Sequence, residues 1–284
     1  MRYFSLVATA RGLASCDMEQ GVHSVERAVS ILRALGEPEA VDPSLVHENE
    51  HEGLPLSAVA KLVGLSPSTT HRIIRTLVGT HFVEQDPLTE RYRLGPLAGV
   101  LGRSYLASVG LERAQPILRK LCVATGESVS LAVFQNGAAH VVLQEHSSHA
   151  LRVDHLAGKE LSLHASAMGK VLVAFSETQL SDAITHIGTL EKFTANTVCE
   201  ASEFLAHLEL VKRQGFATNE GERYEGANGV AVPVLTSRAS QTTARYALGV
   251  QGPATRLTAE RMAELVQPCR DAAAEIAALG IHVS

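Results

Sequence analysis

Residues 54–82, LPLSAVAKLVGLSPSTTHRIIRTLVGTHF, read as two short helices joined by a tight turn, and the rest of the chain is organised around them. Ser57 is expected to cap a first helix with Val59, Leu62 and Val63 on one face, and Gly64 supplies the left-handed backbone that ends it. Ser66 then caps a second helix with Pro67 at its first position, where no amide donor is needed. Along that helix Thr70, Ile73, Ile74 and Leu77 recur at helical spacing and face inward, leaving Ser68, Thr69, His71, Arg72, Arg75 and Thr76 outside. The outer face has two fixed cations, several short hydrogen-bonding side chains and no acid, which suits phosphate oxygens and base edges in a major groove. A solvated helical hairpin of any globular domain has much the same pattern. Two features favour DNA: small Ala60 with Gly64 four residues on, where the helices must approach, and the segment that follows. Residues 82–85 and 91–94 are short alternating runs around Asp86, Pro87, Leu88 and Thr89, a strong turn signal. A helix-turn-helix followed at once by a hairpin is a winged helix, with Arg91 or Arg93 on the wing within reach of the DNA backbone.

The chain of 284 residues is long enough for two domains of ordinary size. It is 45% hydrophobic and 19% charged with no Trp, the composition of a soluble globular protein. A formal net charge of -5 is unusual for a protein that wraps nucleic acid with its whole surface and leaves room for a local basic face. Cys16, Cys122, Cys199 and Cys269 lie far apart and form no CxxC pair, so neither a zinc ribbon nor a disulfide framework is indicated, and a reducing cytoplasm is the default. No apolar run approaches the roughly 18 residues that span a bilayer, so no membrane partner is expected. Residues 1–20 read as a disordered leader, with Met18 as an alternative start.

Residues 24–35, SVERAVSILRAL, form an amphipathic helix with Val25, Ala28, Val29, Leu32 and Leu35 on one face, the natural first helix of a DNA-binding unit at 21–96. Between it and the helix-turn-helix runs an acidic segment with two prolines, read as an exposed loop. His47 and His51 there have a spacing compatible with a metal, but acids surround them and no further ligand follows, so no metal is assigned. After the wing, residues 97–125 carry a long helical pattern broken near Gly110 and before Pro116. This reads as a linker helix that pairs with a twin. From residue 126 to 284 the texture is α+β. Strands are expected at 128–134, 139–145, 151–155, 215–218, 229–235 and 245–251; residues 163–175 begin as a turn and become a short apolar helix, and further helices are expected at 200–214 and 258–279, the last with Pro268 as a kink and Gly280 as stop. An antiparallel sheet of this size encloses one cavity.

Candidate chemistry in the second half is sparse. Residues 164–171, HASAMGKV, depart from a phosphate loop at its first glycine and its final Ser or Thr. What remains is either a set of backbone amides able to hold a small anion or a plain helix start packed by Ala165 and Ala167. Cys199 stands next to Glu200, which disfavours a thiolate; Cys122 is flanked by apolar residues; and no GxSxG elbow occurs, so no catalytic set is visible. Residues 219–226, NEGERYEG, lack the ligand alternation of a calcium loop and read as a strand connection.

Taken together, residues 24–280 resemble the IclR family of bacterial transcriptional regulators. The resemblance rests on SVERAVSIL, the helix-turn-helix stretch, YRLGP after the wing, LHASAMGKVLVAF, the Phe193 to Thr197 turn, Gly215-Phe-Ala, Glu222 with Gly226, Val230-Ala-Val-Pro233 and Val250-Gln-Gly-Pro253. It implies a winged-helix N-terminal domain, a linker helix and a GAF-like effector-binding domain, assembled as a homodimer or tetramer on double-stranded DNA at a palindromic operator. DNA contacts then fall to Ser57, Ser66, Ser68, Thr69, His71, Arg72, Arg75, Thr76, Arg91 and Arg93. The resemblance also implies an effector cavity lined by Val153, Leu161, Ala167, Met168, Asn219, Gly229, Gly249 and Gln251, for an organic acid or aromatic metabolite and with no cofactor. Where relatives often carry an acid, a cysteine or polar residue and a serine pair, this chain has Asn219, Gly229, Gly249 and Gln251. Two glycines are expected to enlarge the cavity and amides to replace charge, favouring an effector larger than a two- or three-carbon acid. The rival expectation is an enzyme, or a structural dimer module, built on the sensor-like domain.

Overall fold

The computed structural model describes residues 22–36, 53–135, 137–154, 160–177, 180, 187–238 and 241–281. The leader with Cys16, and the acidic segment with His47 and His51, lie outside the described residues. Two compact units, Met1–Ser104 and Tyr105–Ser284, divide the chain.

In the first unit, helices α1 (His23–Gly36), α2 (Leu56–Leu62) and α3 (Pro67–Gly79) precede an antiparallel hairpin of β1 (Val83–Gln85) and β2 (Tyr92–Leu94). Leu54 pairs with Tyr92 through two backbone bonds of 2.8 Å, so the chain joins the wing before it turns into α2. Ile31, Leu35, Leu54, Val59, Ile74, Leu77, Val83 and Tyr92 form the shared core. Gly64 takes φ of 65° after α2, as the turn requires.

Two expectations need correction here. The buried side of α1 is Ile31, Ala34 and Leu35, whereas Val25 and Val29 are 58% and 48% exposed. The helical period identifies an apolar stripe, but α1 meets the core only from Ala28 onward, through Ala28, Ile31, Leu32 and Leu35. Ser57 is not the cap of α2: Pro55 holds that position without a side-chain cap bond, and Ser57 is exposed within the helix. The Leu54 bridge fixes where the helix can begin, and its cap falls two residues before the serine.

Helix α4 (Pro96–Ser108) buries none of its residues. Left-handed Gly110 ends it, and a 3-10 turn (Leu111–Ala114) leads into α5 (Gln115–Thr125). The second unit is a six-stranded antiparallel sheet in the order β5-β4-β3-β8-β7-β6. Its strands are β3 (Ser128–Gln135), β4 (Ala138–Glu145), β5 (Glu160–Leu161), β6 (Ala217–Glu220), β7 (Ala227–Arg238) and β8 (Gln241–Pro253). Helices α6 (Ala167–Ala174), α7 (Ala201–Gln214) and α8 (Ala259–Ala278) complete it. Thr258 caps α8, accepting from the Arg261 amide at 3.3 Å, and Pro268 lies inside the helix. The expected strand at 151–155 is not formed over its described residues, 151–154. Asp154 there accepts from Ser128 Oγ at 2.7 Å, and the Leu151 carbonyl accepts from Arg256 at 3.0 Å, so side chains hold the segment in place of a ladder. Strands β7 and β8 run further than expected, pairing out to Arg238 and Gln241.

The sheet has two unlike faces. Val129, Leu131, Val133, Val230, Val232, Val234, Tyr246, Leu248 and Val250 pack with α5 and α8. The alternate positions are small: Ala132, Ala231 and Ala247 pack with α6 and α7. Small residues let α6 come close enough that all eight of its residues are buried. A Cβ at Gly169 would lie 2.3 Å from the Ser162 carbonyl oxygen, so only glycine fits there.

Burial of α6 includes Lys170, whose Nζ donates to both carboxylate oxygens of Glu222 at 2.7 and 2.9 Å. These side chains are 5% and 11% exposed. Lys170→Met should therefore cost about 3 to 5 kcal/mol in urea denaturation, because Glu222 is left as an unpaired buried charge. The double variant Lys170→Met/Glu222→Gln should regain most of that loss; equal losses in the two proteins would show that the unpaired charge is not the cause.

Candidate nucleic-acid interface and effector cavity

Helix α3 starts with Ser66, whose Oγ accepts from the Thr69 amide at 3.3 Å and sits 2.9 Å from Thr69 Oγ1. Thr70 donates to the Ser66 carbonyl at 3.0 Å and is buried, so the inward face begins within the first turn. Ser68, His71, Arg72, Arg75 and Thr76 are exposed and Thr69 is half-buried. Thr76 Oγ1 donates back to the Arg72 carbonyl at 3.3 Å, which leaves Ser68, His71 and the two arginines as the outward-reaching groups. Among the described residues no carboxylate pairs with Arg72 or Arg75, and the positive end of the α3 dipole lies at the same surface.

The wing arginines are differently placed. Arg93 pairs with Glu84 across the hairpin at 3.2 Å on an exposed face, a contact that phosphate can replace at little cost. Half-buried Arg91 donates to the Gly53 carbonyl at 3.1 Å and so anchors the wing to the chain ahead of α2. At the wing tip the Asp86 carboxylate accepts from the Thr89 and Leu88 amides, each at 2.9 Å, which holds its carboxyl below the usual range.

In the second unit the sheet register collects residues that are far apart in sequence. Asn219 lies opposite Gly229, Gly229 opposite Gln251, and Gln251 opposite Ser128. The next row on the same face is Ala217, Ala231, Gly249 and Ser130. These rows floor a cavity whose lining includes Val153, Ala167, Met168, Asn219, Gly229, Gly249 and Gln251, seven of the eight residues expected from the sequence. Leu161 is not in the lining; it is buried in the apolar cluster beneath α6. Sequence reasoning missed Arg223, Tyr224 and Asn228, which also line the cavity. The signal available in the sequence is Arg223, the one base in the otherwise acidic, glycine-rich stretch 219–226.

The two glycines do not enlarge the cavity. A Cβ at Gly249 would meet Met168 Cγ at 2.7 Å and Sδ at 2.9 Å, so the thioether already fills the space that glycine vacates. At Gly229 a Cβ would lie 3.2 Å from the Val250 carbonyl oxygen. The free volume at the centre is about 20 Å³, room for one water-sized sphere. Both amides are partly engaged. Asn219 Oδ1 accepts from the Glu222 amide at 2.8 Å, leaving its NH2 to face the cavity, and Gln251 Nε2 donates to Ser130 Oγ at 2.7 Å, leaving its oxygen.

His164 and Cys199, the side chains nearest to a candidate base and nucleophile, are engaged in structural hydrogen bonds. His164 is buried, with Nε2 2.9 Å from the Glu191 carbonyl and Nδ1 3.2 Å from Ser162 Oγ. The Cys199 thiol donates to the Thr197 carbonyl at 3.4 Å. Burial raises the thiol pKa of Cys122, and pushes that of Cys269 up to about 12. Among the described residues no group of three or more His, Cys, Asp or Glu is placed to hold a metal ion, and no helix is long and apolar enough to cross a membrane.

Residues 24–87 match the IclR helix-turn-helix domain, and residues 104–278 match the bacterial transcriptional regulator IclR C-terminal domain. The glycerol operon regulatory protein of Streptomyces griseus is 35% identical over 266 residues, covering 91% of this chain and 96% of that protein. The crystal structure of an IclR transcriptional regulator from Alicyclobacillus acidocaldarius superposes with a TM-score of 0.74 at 23% identity, over 92% of this chain and 99% of that one. An IclR homologue from Microbacterium hydrocarbonoxydans, solved in complex with 4-hydroxybenzoate, gives a TM-score of 0.70 at 19% identity, over 90% and 98% of the two chains.

Gly249→Ala should displace Met168 and cost about 1 to 3 kcal/mol of stability through overpacking. In Met168→Ala/Gly249→Ala the added methyl has room, so the two losses should not add in a double-mutant cycle of denaturation midpoints. Strict additivity would mean that the thioether is not seated against residue 249.

Proposed function

This chain belongs to the IclR family of bacterial transcriptional regulators, and from that membership we propose how its two units divide the work of a ligand-responsive regulator. The winged helix-turn-helix binds DNA, and the C-terminal domain binds a small-molecule effector, as the family does. The observation that carries the DNA assignment is the exposed face of α3, where Arg72 and Arg75 stand free of acids beside Ser68 and His71. In this reading those four, with Thr69, enter the major groove, while Ser57, Ser66, Thr76 and Arg93 meet the phosphate backbone and Arg91 braces the wing.

A homodimer, or a tetramer built from dimers, sets two copies of α3 about 34 Å apart on a palindromic operator. The unburied apolar side of α4, with Val100 and Leu101 half exposed, supports pairing through that helix. The target is an operon of catabolic genes in the cytoplasm, and the effector is an organic acid or aromatic metabolite. The glycerol operon regulator and the 4-hydroxybenzoate complex each illustrate one such case in another protein. The chain acts by binding and not by turnover, a reading supported by the structural commitments of His164 and Cys199.

Footprinting on the DNA flanking the protein's own gene, with and without candidate acids, tests operator, spacing and sign of regulation together. Protection of two half-sites one helical turn apart, altered by at least one acid, is expected; absence of any protected site would overturn the reading. Within that assay, Arg72→Ala should weaken operator binding by roughly 1 to 3 kcal/mol and relax preference at one base position per half-site. A variant that binds as the wild type does would remove α3 residue 72 from the interface.

A further inference from the structure

We infer that Arg223 is the gate and anion anchor of the effector cavity, the residue that admits a ligand carboxylate and holds it; this rests on reading the second unit as effector-binding. The Arg223 guanidinium lies 3.6 Å from the Phe193 ring centroid and 5.3 Å from that of Tyr224. Stacking engages the faces of the planar ion and leaves its N–H edge, the part that grips a carboxylate in two parallel bonds. Among the described residues no carboxylate or carbonyl takes that edge. Arg256 holds both oxygens of Glu127 at 2.6 and 2.8 Å and Arg152 holds Asp154 at 2.7 Å, whereas Arg113 and Arg213, which have no carboxylate partner among the described residues, are exposed to solvent and line no part of this cavity. The acid beside Arg223 in sequence, Glu222, is committed to Lys170 and does not compete. Arg223 is thus a half-buried, oriented cation on the lining of a cavity.

The walls of that cavity are unequally held. Val153 sits between residues pinned by the Arg256 bond to the Leu151 carbonyl and by the Ser128 and His146 contacts of Asp154, at 2.7 and 3.0 Å. Met168 belongs to a helix buried in every residue. Arg223 and Tyr224 are held on their side by ring stacking, and Tyr224 is 47% exposed. With about 20 Å³ free inside, a metabolite needs side chains of the lining to move, and those of Arg223 and Tyr224 can swing aside while the backbone of their turn stays bonded through Glu222 and Ala227. A carboxylate drawn to the Arg223 edge places the remainder of the ligand toward the Asn219 NH2 and the Gln251 oxygen. Those groups suit a hydroxyl at the far end of a small acid.

The test uses the full chain, with calorimetric titration and thermal shift against lactate, benzoate and 4-hydroxybenzoate, each beside its uncharged amide. Wild type should bind at least one acid more tightly than the matching amide. Arg223→Gln should lose roughly ten- to a hundredfold of the acid affinity and leave amide binding unchanged. Arg223→Lys, which keeps the charge but not the two-pronged edge, should fall between them, and unliganded melting temperatures check that each variant is folded. If Arg223→Gln binds the acid as wild type does, or wild type prefers the amides, the anion gate is overturned while the effector domain stands. If wild type binds neither class, both the gate and the effector reading for these ligand classes are overturned.

Discussion

The buried ion pair between Lys170 and Glu222 is the interaction on which the second unit depends. Desolvating two charges is costly, and a pair of this kind is seldom a net gain in stability over well-packed apolar residues. Its effect here is positional. Glu222 is fixed from several sides at once: its carboxylate by Lys170, its amide by Asn219 Oδ1, and its carbonyl by the hydroxyls of Thr194 and Thr197 at 3.3 and 2.7 Å. One residue thereby ties helix α6, the turn after β6 and the 193–197 turn into a frame. The cavity is the space that this frame leaves above the sheet. Met168 lies two residues before Lys170, and Arg223 one residue after Glu222, so two opposing parts of the lining hang on the same pair.

Why the space exists at all follows from the two faces of the sheet. Large branched residues on one face make an ordinary core with α5 and α8. On the other face Ser, Ala and Gly leave α6 free to settle close to the backbone, at the cost of side-chain contacts that larger residues make. The loss is partly recovered by inserting the flexible thioether of Met168 over Gly249. A rigid branched side chain at 168 fills the same volume permanently; an unbranched one has other rotamers within reach.

Much of the first unit was legible in the sequence because its determinants are local. The Ser66 cap, Pro67 and Gly64 each act within a few residues of themselves, and each stands where it was expected. The misplaced parts are those that need tertiary context. The period of α1 gives a stripe but not the length of it that meets a core, so Val25 and Val29 were expected inside. The cap of α2 was misassigned because a backbone bridge from Leu54 to Tyr92, 38 residues away, sets the helix start. In the second unit the cavity residues came from family resemblance, and the register explains why those positions belong together: Asn219, Gly229 and Gln251 are neighbours in one row across three strands. The Lys170 to Glu222 pair spans 52 residues and carries no local signal. Glycine at 249 reads as empty space in a sequence, and only the packing shows a neighbour already occupying it.

A cavity this narrow has a consequence for regulation. A ligand that binds two conformations equally shifts neither population, however tightly it binds. Here the conformation with about 20 Å³ free is too narrow to enclose a metabolite, so a ligand that needs more room favours the widened arrangement through the shape of the cavity alone. The cost of moving a wall lowers the apparent affinity, and that same cost sets the upper limit of the response. A coupling of about 1 to 3 kcal/mol, ample for regulation, is comparable to displacing one stacked arginine and one seated thioether. The parts that must move are therefore few and small, and the frame around Glu222 stays intact while they do. That frame gives the movement a direction: with α6, the Val153 segment and the backbone of the turn at Glu222 held, displacement is confined to the side chains of Arg223, Tyr224 and Met168.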